Sequence, residues 1–242
     1  MKAGTTALYK YLLHHPRIVP ALTKEIRYFN RDVVDSEWYR AHFPTGFSPA
    51  IYRTGEASPV YIEVDTQERI RAEFPEMKLI VIMRDPVRRA ISHYHHNVKR
   101  FRITDSISSR LLRNIDQFES LRDLSRDEAS DTLREFYDHS VNRFLGLGLY
   151  ELMLHRWLKF FPREQFFLTS LERLSAEPEA VMDELYHFLD LPPVRGQSYG
   201  VELAGNYRKD IRYDFEPRLE ALYAPTVECM RETYGVEFSC SA

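Results

Sequence analysis

The feature that most constrains the fold is Lys78-Leu79-Ile80-Val81-Ile82-Met83, a short β-branched run held between Pro75 and Pro86. A run this short and apolar reads as a buried strand of a parallel sheet. Pro86 suits the first turn of a helix, so the strand passes directly into a helix reaching about Lys99. A buried parallel strand needs parallel neighbours and helices to cover both faces. The rest of the chain supplies that alternation. Thr5 to His14 has apolar residues at Leu8, Tyr11 and Leu12, a helical spacing that Pro16 ends. Ile26 to Phe29 is expected to be a short strand. Asp65 and Glu68 form a candidate capping box for a helix stopping before Pro75. Tyr150 to Phe161 predicts a helix with Leu152, Arg156 and Trp157 on one side, and Gln165 to Thr169 a second strand. Pro178 to Leu189 predicts a helix with Val181, Met182, Leu185, Phe188 and Leu189 inward. A loop over 190–214 follows, then a helix from Glu216 to Tyr234 closed by Gly235. Residues 100–142, rich in Arg, Asp, Ser and Glu, read as a polar helical excursion on the surface. The class is α/β.

At 242 residues and about 150 residues per domain, a single domain over 1–242 is expected. The chain is 44% hydrophobic with net charge −3, which supplies a core and argues against a basic nucleic-acid binder. The longest apolar run, Leu79–Met83, has five residues, whereas a membrane helix needs about 20. No membrane segment or targeting peptide is read, so a cytoplasmic location is expected. Cys229 and Cys240 are the only cysteines, which excludes a disulfide framework; two reduced thiols are expected.

Two segments carry chemistry. Lys2-Ala3-Gly4-Thr5-Thr6 opens the first helix. A glycine loop at a helix N-terminus aims backbone N–H groups and the positive end of the dipole at one point, and the lysine and hydroxyls complete a phosphate cradle. The same residues would also serve as a plain helix cap. The lysine precedes the glycine, unlike a Walker A loop. The second segment is Arg84-Asp85-Pro86-Val87-Arg88-Arg89-Ala90-Ile91-Ser92. Arg84 falls at the carboxyl end of the buried strand, where ligands of open α/β sheets bind, and its fork suits a second phosphate together with Ser92. It would equally be a surface arginine paired with Asp85. His93, His95 and His96 cluster nearby; His93 and His96 have a spacing two ligands could use, but a helix face beside a phosphate pocket is the favoured reading, and no metal is expected.

Together these segments resemble the sulfotransferases that use 3′-phosphoadenosine 5′-phosphosulfate (PAPS), in their heparan-sulfate-type and bacterial branch. Lys2–Thr6 resembles the 5′-phosphosulfate loop, and Arg84 to Ser92 the 3′-phosphate motif. Lys24-Glu25-Ile26-Arg27-Tyr28-Phe29 resembles the branch's Lys-Glu-aliphatic-x-aromatic-Phe segment, and Glu56-Ala57-Ser58-Pro59-Val60-Tyr61 its Glu-x-[Ser/Thr]-Pro-x-Tyr segment. Tyr150–Phe161, Gln165 and Glu172–Leu189 resemble the later half. The resemblance implies a P-loop-like three-layer fold, a central parallel sheet flanked by helices, and metal-free sulfuryl transfer from PAPS to a hydroxyl or amine. It implies Lys2 at the leaving oxygen and residues 3 to 6 (Ala3, Gly4, Thr5, Thr6) around the 5′-phosphate. Glu25 would be the general base, a role that a glutamate beside Lys24 would not suggest alone. Arg84 and Ser92, with Tyr207, Arg208 and Lys209 closing over, would hold the 3′-phosphate. Lys24, Ser58 and Tyr61 would line the acceptor side. The expected acceptor is a small molecule, a carbohydrate or a carrier-bound group. Ala57 stands where the heparan enzymes carry a lysine, which turns the expectation away from a heparan-like polyanion, and Asp210 interrupts the usual basic-Gly-basic run, a departure that bears on the role implied for Arg208. The family's phosphate loop follows a strand, whereas this chain opens inside the loop, so an upstream strand of about ten to fifteen residues is expected to be missing. The competing readings are a catalytically impaired nucleotide-binding pseudo-enzyme of this fold and a P-loop kinase. The kinase would need a lysine after the second glycine and a Mg²⁺-holding aspartate at a strand end.

Overall fold

The computed structural model describes residues 2–31, 35–102, 104–136, 143–200 and 211–238. The chain enters α1 (Thr5–Leu12) and β1 (Ile18–Pro20), then α2 (Ser36–Arg40), β2 (Arg53–Gly55), α3 (Gln67–Glu73), β3 (Leu79–Met83) and α4 (Pro86–Phe101). Helices α5 (Ile107–Leu112), α6 (Ile115–Glu119), α7 (Arg126–Phe136) and α8 (Arg143–Gly146) follow. The remainder is α9 (Tyr150–Leu158), β4 (Phe166–Ser170), α10 (Leu171–Ala176), α11 (Pro178–Phe188) and α12 (Glu216–Tyr234), which Gly235 ends at φ 66°.

The expected parallel pairing is present in two pieces: β1 with β2, and β3 with β4 in the register Leu79↔Phe166 to Met83↔Ser170. The strand period of two sorts the side chains of the second pair into layers. Ile80, Ile82 and Phe167 pack with Leu8 and Tyr11 of α1 and with Val181, Met182 and Leu185 of α11. Leu79, Val81, Phe166 and Leu168 turn the other way, toward Trp157, Phe161 and Ile70. Helices therefore cover both faces. Only Ile82 and Met83 of β3 are fully buried, so the strand is most enclosed at its carboxyl end.

Three sequence expectations are corrected. Ile26–Phe29 forms no strand; its backbone bonds instead to side chains of the 56–61 segment, and the ladder partners are β1 and β2. The Asp65–Glu68 capping box does not form: the N-cap of α3 is Thr66, without a side-chain cap, and Asp65 is drawn into ion pairs with Arg134 and Arg156. The described part of the 100–142 stretch is helical over α5–α7 but is no surface excursion. Leu111, Ile115, Phe118, Leu121, Ala129 and Leu133 are buried in the largest core, with α4, α9 and α12.

Candidate active site

Gly4 caps α1 at φ 86°, a left-handed conformation glycine adopts freely. A Cβ there would lie 2.6 Å from Leu171 Cδ1 and 3.4 Å from Ile82 Cδ1. Ile82 is near the end of β3 and Leu171 directly follows β4, so the 2–6 loop sits over the carboxyl ends of both parallel strands. No side-chain hydrogen bond caps α1, and its first turn has no acidic residue, so the positive end of its dipole is not offset by its own first turn. Ala3 is buried; Thr5 and Thr6 are half-buried. This donor set fits a phosphate or phosphosulfate.

Arg84 leaves the end of β3. Asp85 caps α4 by accepting a hydrogen bond from the Arg88 N–H at 2.7 Å, and Pro86 takes the first helical position. Ser92 is buried on α4, one turn before His96 and on the same face. The His96 imidazole is held below its ordinary pKa by burial and then by the charge of Lys2. The first loop and this face of α4 are therefore within electrostatic reach of each other.

Glu25 is held differently from Lys2 and Arg84. It lies in irregular backbone that Glu56 organises. Glu56 Oε2 accepts from the Ile26 N–H at 2.9 Å and also from the Ser58 hydroxyl, while Oε1 accepts from Tyr61 OH at 2.7 Å. The Arg27 N–H donates to Ser58 Oγ at 3.2 Å, and the Ala57 N–H to the Lys24 carbonyl at 2.8 Å. Ser58 and Tyr61 thus brace the Glu25 segment. The carboxylate of Glu25 accepts from Arg27 Nη2 at 2.6 Å and from Lys24 Nζ at 3.4 Å. Burial raises its pKa, but the Arg27 hydrogen bond and the two cations outweigh that, so the net shift is downward and Glu25 is ionised at neutral pH. The same network reaches α1: burial, then the Glu56 charge, raises the Tyr9 phenol.

Two functional candidates were not singled out from sequence, Glu56 as the organiser of this bracket and Glu172 beside Arg84. The carboxylate of the Glu-x-[Ser/Thr]-Pro-x-Tyr segment was the available signal for Glu56. Tyr207, Arg208 and Lys209 lie outside the described residues. The positions flanking them contact α1 and α4: Tyr199 packs on Tyr11 with ring centroids 4.9 Å apart, and Tyr213 OH lies 3.3 Å from His95 Nε2. Among the described residues no His, Cys, Asp and Glu group could hold a metal, and no helix is long and apolar enough to cross a membrane.

Comparison with known proteins adds an independent line. The family model described as the sulfotransferase domain matches residues 1–202. Membrane-associated sulfotransferase kil1 of Dictyostelium discoideum is 28% identical over 256 residues, covering 79% of this chain and 54% of that protein. Heparan sulfate glucosamine 3-O-sulfotransferase 5 of Mus musculus is 33% identical over 196 residues, covering 79% and 51%. The chain spans about half the length of these curated relatives. A solved sulfotransferase from Alicyclobacillus acidocaldarius shares the fold with TM-score 0.74 over 98% of this chain and 93% of that one, at 24% identity.

Proposed function

The chain belongs to the sulfotransferase domain family, and from that premise we propose that it transfers a sulfuryl group from PAPS to a carbohydrate hydroxyl. The observation that carries this reading is the placement of an uncapped glycine loop across the ends of β3 and β4, beside the strand end that bears Arg84. The 2–6 backbone and the Thr5 and Thr6 hydroxyls hold the 5′-phosphate. Arg84 and Ser92 hold the 3′-phosphate. Glu25, ionised, takes the acceptor proton as the acceptor oxygen bonds to sulfur and the bridging S–O bond breaks. Lys2 meets the negative charge that develops on the bridging oxygen. The leaving product is adenosine 3′,5′-bisphosphate. A carbohydrate acceptor is supported by the name of the glucosamine-modifying relative, and Ala57 favours a sugar less anionic than heparan sulfate.

The test measures thermal stability with and without adenosine 3′,5′-bisphosphate. Ligand at 100 times its Kd adds about 2.7 kcal/mol, a clear rise in Tm that Arg84→Ala abolishes. Glu25→Gln keeps that rise yet lowers transfer to glucosamine-containing oligosaccharides by about 10²–10⁴-fold. A folded protein whose Tm ignores the bisphosphate overturns the reading.

A further inference from the structure

The Arg84–Asp85 peptide is pinned on both of its polar edges by side chains distant in sequence. Its carbonyl, that of Arg84, accepts from Tyr150 OH at 2.6 Å. Its N–H, that of Asp85, donates to Glu172 Oε1 at 3.1 Å. The Asp85 side chain is engaged elsewhere, on the Arg88 N–H at the start of α4. Fixing both edges of one peptide plane fixes the direction in which Arg84 leaves the chain, and a binding arginine gains from such preorganisation.

Glu172 is placed for this by the strands. Met83 and Ser170 are paired at the ends of β3 and β4, so the first turn of α10 starts beside the β3–α4 corner. Glu172 occupies that turn at a cost. Its Oε2 is buried with no hydrogen-bond partner. Burial raises its pKa, and the backbone hydrogen bonds it accepts, that from Asp85 included, and then the Arg84 charge offset that only in part. The preceding residue, Leu171, fills the space over Gly4. One turn of α10 thus abuts both phosphate-binding segments.

We propose that Glu172 is a positioning residue for the 3′-phosphate subsite, acting through the Asp85 N–H to orient Arg84. This rests on the nucleotide-binding reading above. The test compares Kd for adenosine 3′,5′-bisphosphate and adenosine 5′-monophosphate by calorimetry, the ratio isolating what the 3′-phosphate adds. In Glu172→Ala the preference for the bisphosphate falls about tenfold or more, while monophosphate affinity stays within about twofold, as expected when a single subsite gives up a charge-assisted hydrogen bond. Glu172→Gln, which keeps an acceptor oxygen for the Asp85 N–H, restores the preference to within about threefold of the parent. Glu172→Asp, which keeps the charge but shortens the reach, behaves like the alanine variant and decides the matter if that variant does not fold. An unchanged ratio, or equal weakening of both nucleotides, reduces Glu172 to a structural residue and overturns the proposal. A parent protein that binds neither nucleotide overturns the sulfotransferase reading itself, and the proposal with it.

Discussion

His93 shows how a single side chain ties this fold to pH. It is buried on α4, with its ring centroid 4.5 Å from that of Phe144 and Nδ1 lacking a hydrogen-bond partner. Burial, followed by the charge of Arg89, pushes its pKa down to about 2. The native imidazole therefore stays neutral where the unfolded one takes a proton. Its contribution to stability is complete above the unfolded value of about 6.5 and is lost as pH falls below it, by about 1.4 kcal/mol per pH unit. Urea denaturation of the parent and of His93→Leu between pH 7 and pH 5 checks this: the variant loses about one proton's worth of slope. Equal slopes would mean that His93 is protonated within the native fold. Glu25 has the same sign, since its folded pKa is lowered: its ion pairs stabilise above the ordinary carboxylate range and fade as pH falls through the lowered value. Neither environment could be read from sequence. His93 looks like one of three clustered histidines on a helix face, and Glu25 looks like a solvated neighbour of Lys24. What distinguishes them, the Phe144 ring and the left-handed Arg27 at φ 59°, is settled by tertiary structure.

At the scale of elements, α1 and its entering loop depend on one backbone conformation. Gly4→Ala forces φ 86° on a residue with a Cβ and presses that Cβ toward Leu171 Cδ1. The leucine tip can rotate away, but the backbone strain of about 1–2 kcal/mol remains. Thermal melts should show that loss together with a smaller shift on adding adenosine 3′,5′-bisphosphate, and the double variant with Leu171→Ala should not recover it. Full recovery in the double variant would assign the effect to crowding alone. The elements most legible in sequence are those whose signals are local. Strand β3 sits between two prolines, Pro86 starts α4, and Gly235 ends α12 at φ 66°. The three-residue strands β1 and β2 were invisible because Pro20 and Gly55 are poor strand formers and the pairing spans distant sequence. Ile26–Phe29 misled for the converse reason: its pattern suits a strand, while Glu56, Ser58 and Tyr61 take its backbone donors. The site divides the same way. The motif residues were legible as contiguous segments, whereas Glu172 acts only because β3 and β4 end side by side.

At the scale of the whole molecule, the charge-rich 100–142 stretch hides a structural share of the main core. Its apolar residues are few, but Leu111, Phe118 and Leu133 are each at most 1% exposed. Charged residues lock the same helices to the rest of the protein: Arg122 donates to the Leu222 carbonyl at 2.8 Å and to Thr226 Oγ1 at 2.9 Å, and Arg218 of α12 pairs with Glu119 at 2.7 Å. Composition alone suggests a solvated appendage, because it counts charges without showing that one face of each helix is apolar. The two views predict different unfolding. For a core member, Phe118→Ala removes about 3–5 kcal/mol from a total of about 5–15 kcal/mol. That loss lowers the midpoint of one cooperative transition, and α4, which carries Ser92, melts with it. The exposed Phe101, 63% accessible, gives the control: Phe101→Ala stays within about 0.5 kcal/mol. Hydrogen exchange at α4 amides, read alongside the global melt, separates the cases. Protection that falls in parallel at α4 and at α5–α7 of the Phe118 variant shows one cooperative unit, since α4 and the charge-rich helices share a core. Protection retained at α4 while α5–α7 open would show that the site is supported without them.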